Sequence, residues 1–457
     1  MRCVSTSPIQ VTFGLLHERW RGLTIGLILN VTFVAFEALA VATIMPLVAE
    51  DLGEVGLYGW AFSAFFLANL VAIVLAGELA DRLGPAVPFA FGLTLFSLGL
   101  LVSGLAPSMI VLVGGRAIQG LGAGAIPAVA YVVIGRTYPD SLRPRMFAIL
   151  STAWVVPGIA GPALAALVAD RVGWRAVFLG LIPLVIVAGL LALQALRRVP
   201  GHPGRGDRRI IPDALRVAAG AGLGLGGLQA QDAVLSPALI AVGLVLAVPS
   251  LRRLLPSGTF AARGALPAAI LLRGALTFAF FAPDIFVPLA VTTIRGESVL
   301  LSGAALTAGT VAWTTGAWIQ ERTVLRVGPA PLVRYGFLLL CAGIAGIWLV
   351  LSAGVPAWLC VPAWGIAGLG IGMAYSSISL VVLRAAPAGR EGATASSMQL
   401  VETLGNAFGS GIGAVAVGAA VASLGSAVVG VAVTDAIALG FAVFGVLIAP
   451  RLRAPTL

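Results

Sequence analysis

Four ionisable side chains lie inside stretches of sequence that are otherwise apolar. They are Glu37 in "NVTFVAFEALAVATIMP", Arg116 in "GRAIQGLGAG", Asp284 in "PDIFVPLAVTTIRG" and Glu402 in "SSMQLVETLGNAFGSGIG". A charge in such surroundings is costly unless it is protonated, paired or in contact with water. Burial favours a protonated carboxyl group and a nearby cation favours an ionised one, so an acid that alternates between these environments takes up and releases a proton. We predict this chemistry for the three acids, with Arg116 as the cation.

Helix geometry places Glu37 and Arg116 at similar depth. At a rise of 1.5 Å per residue, Glu37 lies about 21 Å from one end of its predicted helix and about 15 Å from the other. Arg116 lies about 10 Å from the outer end of its own helix. Both positions fall inside a hydrocarbon core about 30 Å thick. We therefore expect the two side chains to meet.

Each of these groups also has a structural interpretation. Glu37 and Arg116 can form a static pair that only holds two helices together. Asp284 can be solvated where the neighbouring prolines bend its helix, and Glu402 can belong to a hydrogen-bond network between helices. We expect Arg273 to extend its side chain to the cytoplasmic membrane face.

The elements that position these residues are predicted to be membrane-spanning helices. The chain has 457 residues, of which 59% are hydrophobic and 10% charged, whereas soluble domains carry about 25% charged residues. Long, nearly uncharged runs each approach the ~20 residues that a membrane helix needs. We predict an all-α integral membrane protein of fourteen spans, at residues 23–47, 57–77, 86–105, 109–134, 145–169, 176–196, 213–231, 236–255, 265–290, 299–319, 331–353, 356–383, 394–422 and 425–449. A twelve-span count remains open, because the seventh and eighth spans are the weakest.

The basic residues predict the orientation of these spans. All 28 are arginine and most fall in alternate short loops. The exceptions are Arg171, Arg175 and Arg295 in the intervening loops, with Arg116 and Arg273 inside spans. An arginine excess marks the cytoplasmic side, so we expect a multi-pass protein of the cell membrane with both termini cytoplasmic. The same pattern argues against a basic face for nucleic acid.

The pattern of the first part of the chain recurs in the last part. "GLGAG" (120–124) is echoed by "GLGIG" (368–372), and "GELADRLGP" is echoed by "GAWIQERTVLRVGP". A polar, breaker-rich stretch, "RRVPGHPGRGDRRIIP" (197–212), lies between the two copies. Repeated halves with a site between them are typical of secondary transporters. We predict an N-terminal six-helix half at 1–196, a central linker with two inserted spans at 197–262 and a C-terminal six-helix half at 263–457.

Four motifs resemble those of the major facilitator superfamily, and within it the fourteen-span drug:proton antiporter branch. They are "FEALAVATIMP" in the first span, "GELADRLGP" after the second, "GRAIQGLGAG" in the fourth and "WVVPGIAGPALAAL" in the fifth. The resemblance implies two six-helix halves plus two inserted helices. It also implies exchange of a small molecule for protons, with Arg116 taking part in proton relay.

The loop "GELADRLGP" is similar to the signature cytoplasmic loop of that superfamily. The resemblance implies that Gly77 permits close helix approach, that Asp81 caps or pairs across a helix N-terminus and that Arg82 supplies a partner charge. Gly84 belongs to the same motif. We interpret the loop as part of a gate.

The fifth span and several aromatic and polar residues are expected to shape the substrate cavity. Gly158, Gly161 and Pro162 resemble an antiporter motif and form either a hinge that seals the cavity or a tight helix contact. The residues expected to line the cavity are Trp154, Trp313, Trp364, Gln399 and Asn406. Tryptophan also anchors helices at membrane interfaces, which is the alternative for the three tryptophans.

These patterns favour a transporter over an enzyme. We expect proton-coupled efflux of amphipathic or lipophilic compounds by a monomer in the lipid bilayer, driven by the proton gradient and without a cofactor. Export of an endogenous lipid or secondary metabolite by the same mechanism stays open. A membrane-embedded transferase is the alternative from another class. It would need a base or a metal site, and the two histidines and three cysteines show no metal-binding spacing. We therefore predict neither a catalytic nor a metal site.

Overall fold

The structure is a computed structural model that describes Leu15, His17 and residues 20–53, 57–201, 209–230, 232 and 234–452. These ranges are built from helices and contain no strand. Their α-helices are α1 (Arg21–Leu52), α2 (Tyr58–Leu83), α3 (Ala86–Gly104), α4 (Met109–Thr137), α5 (Arg143–Thr152), α6 (Val155–Val172), α7 (Trp174–Leu196), α8 (Ile210–Gln229), α9 (Leu235–Leu254), α10 (Ala265–Asp284), α11 (Val299–Val327), α12 (Pro329–Val350), α13 (Cys360–Ala385), α14 (Glu391–Leu424) and α15 (Ala427–Ile448).

Twelve helical segments in the described ranges are long and apolar enough to cross a membrane. The helices α8 and α11 have the length but are less apolar. In α8 the cause is Asp213, Arg216 and several glycines. The eighth predicted span, expected to be weak, is α9 and is apolar enough. These twelve segments include the eighth predicted span, α9, and leave out the tenth, α11, so they differ from the twelve that remain when the seventh and eighth predicted spans are removed.

Two predicted spans are interrupted rather than continuous. The fifth consists of α5 and α6, which are separated by Ala153 and Trp154. Pro157 has no N–H to donate to the carbonyl of Ala153, so the helical ladder breaks there. The ninth is α10 followed by a π-helical turn at Leu289–Ile294, and Pro283 and Pro288 bracket the change.

Helices α1 to α7 pack mainly on one another, and so do α10 to α15. Small residues set the closest contacts in both groups. A Cβ atom on Gly122 of α4 would lie 2.2 Å from the Phe96 nitrogen of α3. A Cβ atom on Gly370 of α13 would lie 2.4 Å from the Gly336 oxygen of α12. The glycine motifs that repeat in the sequence thus make the same kind of helix contact in both groups. We call the membrane face where α1 begins the inner face and the opposite one the outer face.

Helices α8 and α9 form a hairpin that packs on α2 and α14. Asp213 of α8 is buried and accepts hydrogen bonds from Ser250 Oγ at 2.9 Å and Arg253 Nη1 at 3.0 Å, both in α9. It also accepts a longer one from Arg216 at 3.4 Å. The charges that made the seventh span look weak therefore hold the hairpin together. Part of the linker predicted at 197–212 lies outside the described residues.

Candidate functional site

Glu37 and Arg116 form a buried ion pair between α1 and α4. Both side chains are almost inaccessible to solvent, at 0% and 3% exposure. Arg116 Nη1 donates to Glu37 Oε1 and, at 2.8 Å, to Gln119 Oε1. Arg116 Nε donates to the Ala61 carbonyl at 3.2 Å, and the guanidinium lies 4.3 Å from the centre of the Phe65 ring. The guanidinium is therefore held by four groups, of which only one is Glu37.

The second carboxylate oxygen of Glu37 differs from the other polar atoms of Glu37 and Arg116 described above. Glu37 Oε2 is buried and has no hydrogen-bond partner among the described residues, and the same holds for Gln119 Nε2. A buried carboxylate oxygen without a donor is unfavourable while the group is ionised. Protonation supplies that oxygen with a hydrogen and weakens the attraction to Arg116. The geometry therefore suits an acid that binds and releases a proton.

Asp284 lies at the end of an aromatic cluster. Its Oδ1 accepts a hydrogen bond from Trp364 Nε1 at 2.8 Å. The Trp364 ring stacks on Phe280 at 5.0 Å, and Phe280 contacts Trp313 edge-on at 5.4 Å. Trp364 is fully buried, whereas Trp313 is half-buried. In this conformation Trp364 thus positions Asp284, and Trp313 offers the accessible aromatic surface.

Glu402 lies in a second ion pair, and its partner is Arg273. The expectation that Arg273 extends to the membrane face is wrong, because its side chain is 0% exposed. Arg273 Nε donates to Glu402 Oε2 at 3.0 Å and Tyr375 OH donates to Glu402 Oε1 at 2.8 Å. Arg273 Nη2 donates to Tyr131 OH at 3.1 Å, which joins α10 to α4. Arg273 Nη1 also donates to the Tyr375 carbonyl at 2.8 Å, so all three guanidinium nitrogens have partners inside the protein and the side chain is satisfied without solvent.

Asp81 lies on the N-terminus of α14 at the inner face. Its two oxygens accept hydrogen bonds from the backbone N–H groups of Gly392 at 2.7 Å and Ala393 at 2.8 Å. Gly77 allows this approach, since a Cβ atom there would lie 2.4 Å from the Gly392 oxygen. A carboxylate at a helix N-terminus is stabilised by the unpaired amides and the helix dipole. This contact holds α2 against α14.

The charge that pairs with Asp81 is Arg136 and not Arg82. Arg136 Nη2 donates to Asp81 Oδ1 at 2.6 Å and to Glu391 Oε2 at 2.8 Å, so it connects α2, α4 and α14. Arg82 is exposed. The expectation for Arg82 is wrong because Arg82 follows Asp81 directly and points away from the buried side of α2. Gly84 ends α2 with φ at 86°, a conformation that favours glycine.

Gly158, Gly161 and Pro162 lie in α6, just beyond the break. A Cβ atom on Gly158 would lie 3.5 Å from Thr310 of α11, and one on Gly161 would lie 3.6 Å from Phe36 of α1. Both are ordinary contact distances, so tight packing in this conformation does not account for these glycines. Trp154 lies at the break itself and is 45% exposed.

The polar residues predicted along α14 differ in their surroundings. Gln399 is 5% exposed, and its Nε2 has no partner in the described part of the chain. Asn406 is half-buried, and its backbone carbonyl accepts a hydrogen bond from Ser410 Oγ at 2.7 Å. Sequence reasoning missed Gln119, Arg136, Tyr131 and Tyr375. Only Gln119 carried a signal, since it follows Arg116 by three residues and so shares its helix face.

Comparison with known proteins identifies the family. Residues 25–410 match the Major Facilitator Superfamily. The chain is 26% identical to the multidrug transporter protein MdtP of Bacillus subtilis over 84% of this chain and 73% of that protein. It is 27% identical to the probable multidrug-efflux transporter Rv1634 of Mycobacterium tuberculosis over 89% of each.

Solved structures show the same fold. The human organic anion transporter MFSD10 superposes with a TM-score of 0.70 at 15% identity, covering 94% of this chain and 99% of that one. The proton:xylose symporter XylE superposes with a TM-score of 0.67 at 14% identity, covering 93% and 94%. With the family match over most of its length and helices of membrane-spanning length, this chain belongs to the Major Facilitator Superfamily of membrane transporters.

Proposed function

We propose that the protein is a proton-coupled exporter of amphipathic or lipophilic compounds that works by alternating access. The observation that carries this proposal is the buried Glu37–Arg116 pair with its unpartnered Glu37 Oε2. A transporter that exchanges protons for substrate needs an acid whose two protonation states are close in free energy. Two opposing influences act on Glu37, because Arg116 favours the ionised form and burial favours the neutral form.

In the proposed cycle, the state of Glu37 is coupled to the position of α1 relative to α4. While Glu37 is ionised, Arg116 holds α1 and α4 together. Protonation removes that attraction, and Arg116 keeps Gln119, Ala61 and the Phe65 ring as partners. The cation therefore stays satisfied when the acid changes state. This arrangement lowers the cost of breaking the pair, which otherwise reaches ~3–5 kcal/mol when a buried charge loses its partner.

The inner gate is the second moving part of the proposal. Asp81, Arg136 and Glu391 join the two groups of helices at the inner face. Tyr131 and Arg273 join them closer to the membrane middle. Access from the inner face requires that these contacts separate. The present conformation is accordingly one in which the inner side is closed.

The proposed substrate class follows from the surfaces next to the acids. Phe280, Trp313 and Tyr375 form a connected row of aromatic rings between Asp284 and Glu402, in which Phe280 is buried and Trp313 is half-buried. Flat aromatic faces bind apolar and cationic groups without strict geometry. The similar proteins of Bacillus subtilis and Mycobacterium tuberculosis are described as multidrug transporters, which supports the same class here.

The proposal is tested by measuring proton release when a lipophilic cation is added to the purified protein. We expect release from the wild type and none from Glu37→Gln, which mimics the protonated acid. Asp51→Asn is the matched control, since Asp51 also pairs with an arginine but is 49% exposed. The control is expected to release protons as the wild type does.

Two results would contradict the proposal. Equal release from the wild type and Glu37→Gln would move the coupling to Asp284 or Glu402. Absence of release with a panel of lipophilic cations, together with intact folding, would remove the proposed substrate class. Export of an endogenous lipid or metabolite would then replace it.

A further inference from the structure

An apolar groove opens between α9, α10, α14 and α15. Its volume is about 720 Å³, within the range of about 300–1,000 Å³ that holds small molecules. Thr259 is the polar exception in an otherwise apolar lining. The groove contains five aromatic rings, those of Phe260, Phe278, Phe408, Phe441 and Phe444.

The groove runs from the inner face towards the membrane middle. It starts at Thr259 and Phe260, in the loop before α10, and extends along α10 to Phe278. Phe278 is thirteen residues beyond the start of α10, which corresponds to about 20 Å. This length covers the inner half of a ~30 Å core, about 15 Å, and extends a few ångströms beyond it. A groove of this position and lining fits a lipid tail.

Three arginines surround the inner end of the groove. Arg252 lies over the Phe260 ring, with the guanidinium carbon 5.8 Å from the ring centre. Arg451 Nη1 donates to the Ala261 carbonyl at 3.1 Å, and Arg263 follows two residues later on the same loop. All three are exposed. None forms an ion pair with a residue of the described ranges, whereas the neighbouring Arg253 binds Asp213.

We propose that this groove is a binding site for an anionic phospholipid of the inner leaflet. The acyl chain fills the apolar groove and the phosphate contacts Arg252, Arg263 and Arg451. Basic clusters between membrane helices on the cytoplasmic side bind anionic headgroups through such contacts. A transported cation fits less well, since the lining carries no negative charge and the arginines repel it.

The bound lipid also has a structural consequence. The groove is bounded on one side by α9 of the inserted hairpin and on the other by α10, α14 and α15. An acyl chain there fills the space between the hairpin and the last six helices. Lipid binding therefore stabilises the attachment of α9.

The test is native mass spectrometry of the purified full-length protein titrated with phosphatidylglycerol or phosphatidylcholine. The headgroup variant is Arg252→Gln with Arg263→Gln and Arg451→Gln. The groove variant is Gly440→Leu, since a Cβ atom at Gly440 meets no atom within 4 Å and the larger side chain therefore fits without clash. The control for charge is Arg322→Gln with Arg326→Gln and Arg334→Gln, three exposed arginines on α11 and α12.

The wild type is expected to bind one phosphatidylglycerol in preference to phosphatidylcholine. The headgroup variant is expected to bind it about 100-fold more weakly, as three lost contacts with anionic headgroups imply, and the groove variant to lose it as well. Equal loss in the control, or equal binding of both lipids by the wild type, would overturn the proposal. So would normal lipid binding by Gly440→Leu combined with lost transport, which would make the groove a substrate path.

Discussion

Glu37 and Glu402 are both membrane-embedded acids paired with arginine, yet their oxygens differ in occupancy. Both oxygens of Glu402 accept hydrogen bonds, from Arg273 and Tyr375. Glu37 has one oxygen on Arg116 and one without a partner in the described residues. At the scale of single residues, the Glu402 carboxyl group is therefore fixed at both oxygens, whereas Glu37 is fixed at one, which is the difference on which the proposed role of Glu37 depends.

The burial of Arg273 leads to a prediction about stability. We expect Arg273→Gln to lower the free energy of unfolding by ~3–5 kcal/mol, because Glu402 loses the partner of a buried pair. Thermal unfolding in detergent measures this as a marked fall in melting temperature. Arg334→Gln is the matched control and is expected to leave the melting temperature close to that of the wild type. A small effect at both positions would mean that Arg273 reaches solvent after all.

At the scale of helices, the glycines of two predicted motifs have different surroundings. Gly77 faces the start of α14 so closely that a Cβ atom would overlap the Gly392 oxygen. Gly158 faces Thr310 at an ordinary distance. Gly77 therefore holds α2 against α14 in the present conformation. Gly158 and Gly161 have ordinary contact distances to their neighbours, and they lie just beyond the break at Ala153–Trp154.

These surroundings predict that the same substitution has an effect at one glycine and none at the other. Gly77→Ala is expected to separate α2 from α14, because the added methyl group has no space at 2.4 Å. Spin labels on cysteines placed at the exposed positions of Arg82 and Arg390, with the native cysteines replaced by serine, report this as a longer distance. Gly158→Ala is expected to leave that distance unchanged. If Gly77→Ala also leaves it unchanged, Gly77 does not set the contact.

At the scale of the whole molecule, the repeated halves have unequal inner gates. "GELADRLGP" and "GAWIQERTVLRVGP" end in the same Gly-Pro pair, and Gly84 and Gly328 share nearly the same backbone conformation. Counting back from these glycines puts Leu325 at the place of Asp81. Asp81 is 5% exposed and binds α14, whereas Leu325 is 63% exposed. The charged contact with α14 that Asp81 makes in the first copy of the repeat therefore has no counterpart at Leu325 in the second copy.

This asymmetry predicts which gate controls access from the inner face. Asp81→Asn removes the charge that binds Arg136 and the amides of α14, so we expect the population with an open inner face to rise about tenfold, which corresponds to ~1.4 kcal/mol. Leu325→Asn at the corresponding place is expected to cause no change. The distance between labels at Arg82 and Arg390 measures both. An equal response of the two variants would contradict the prediction that Asp81 controls access from the inner face.

The sequence by itself determined the class of protein, the order of the helices and the positions of the embedded acids. These follow from local properties: apolar runs of bilayer length, arginine-rich loops and single charges inside a span. The depths of Glu37 and Arg116 also predicted their pairing, which the structure confirms. Only the tertiary structure decided the other partners. Arg136 reaches Asp81 and Glu391, and Arg273 reaches Glu402, across large separations in the chain. Which face of a helix meets which neighbour depends on the packing of all the helices. These contacts cannot be predicted from the composition of a single span. For the same reason the motif resemblance indicated Arg82 as the partner charge, whereas the packed helices bring Arg136 to Asp81.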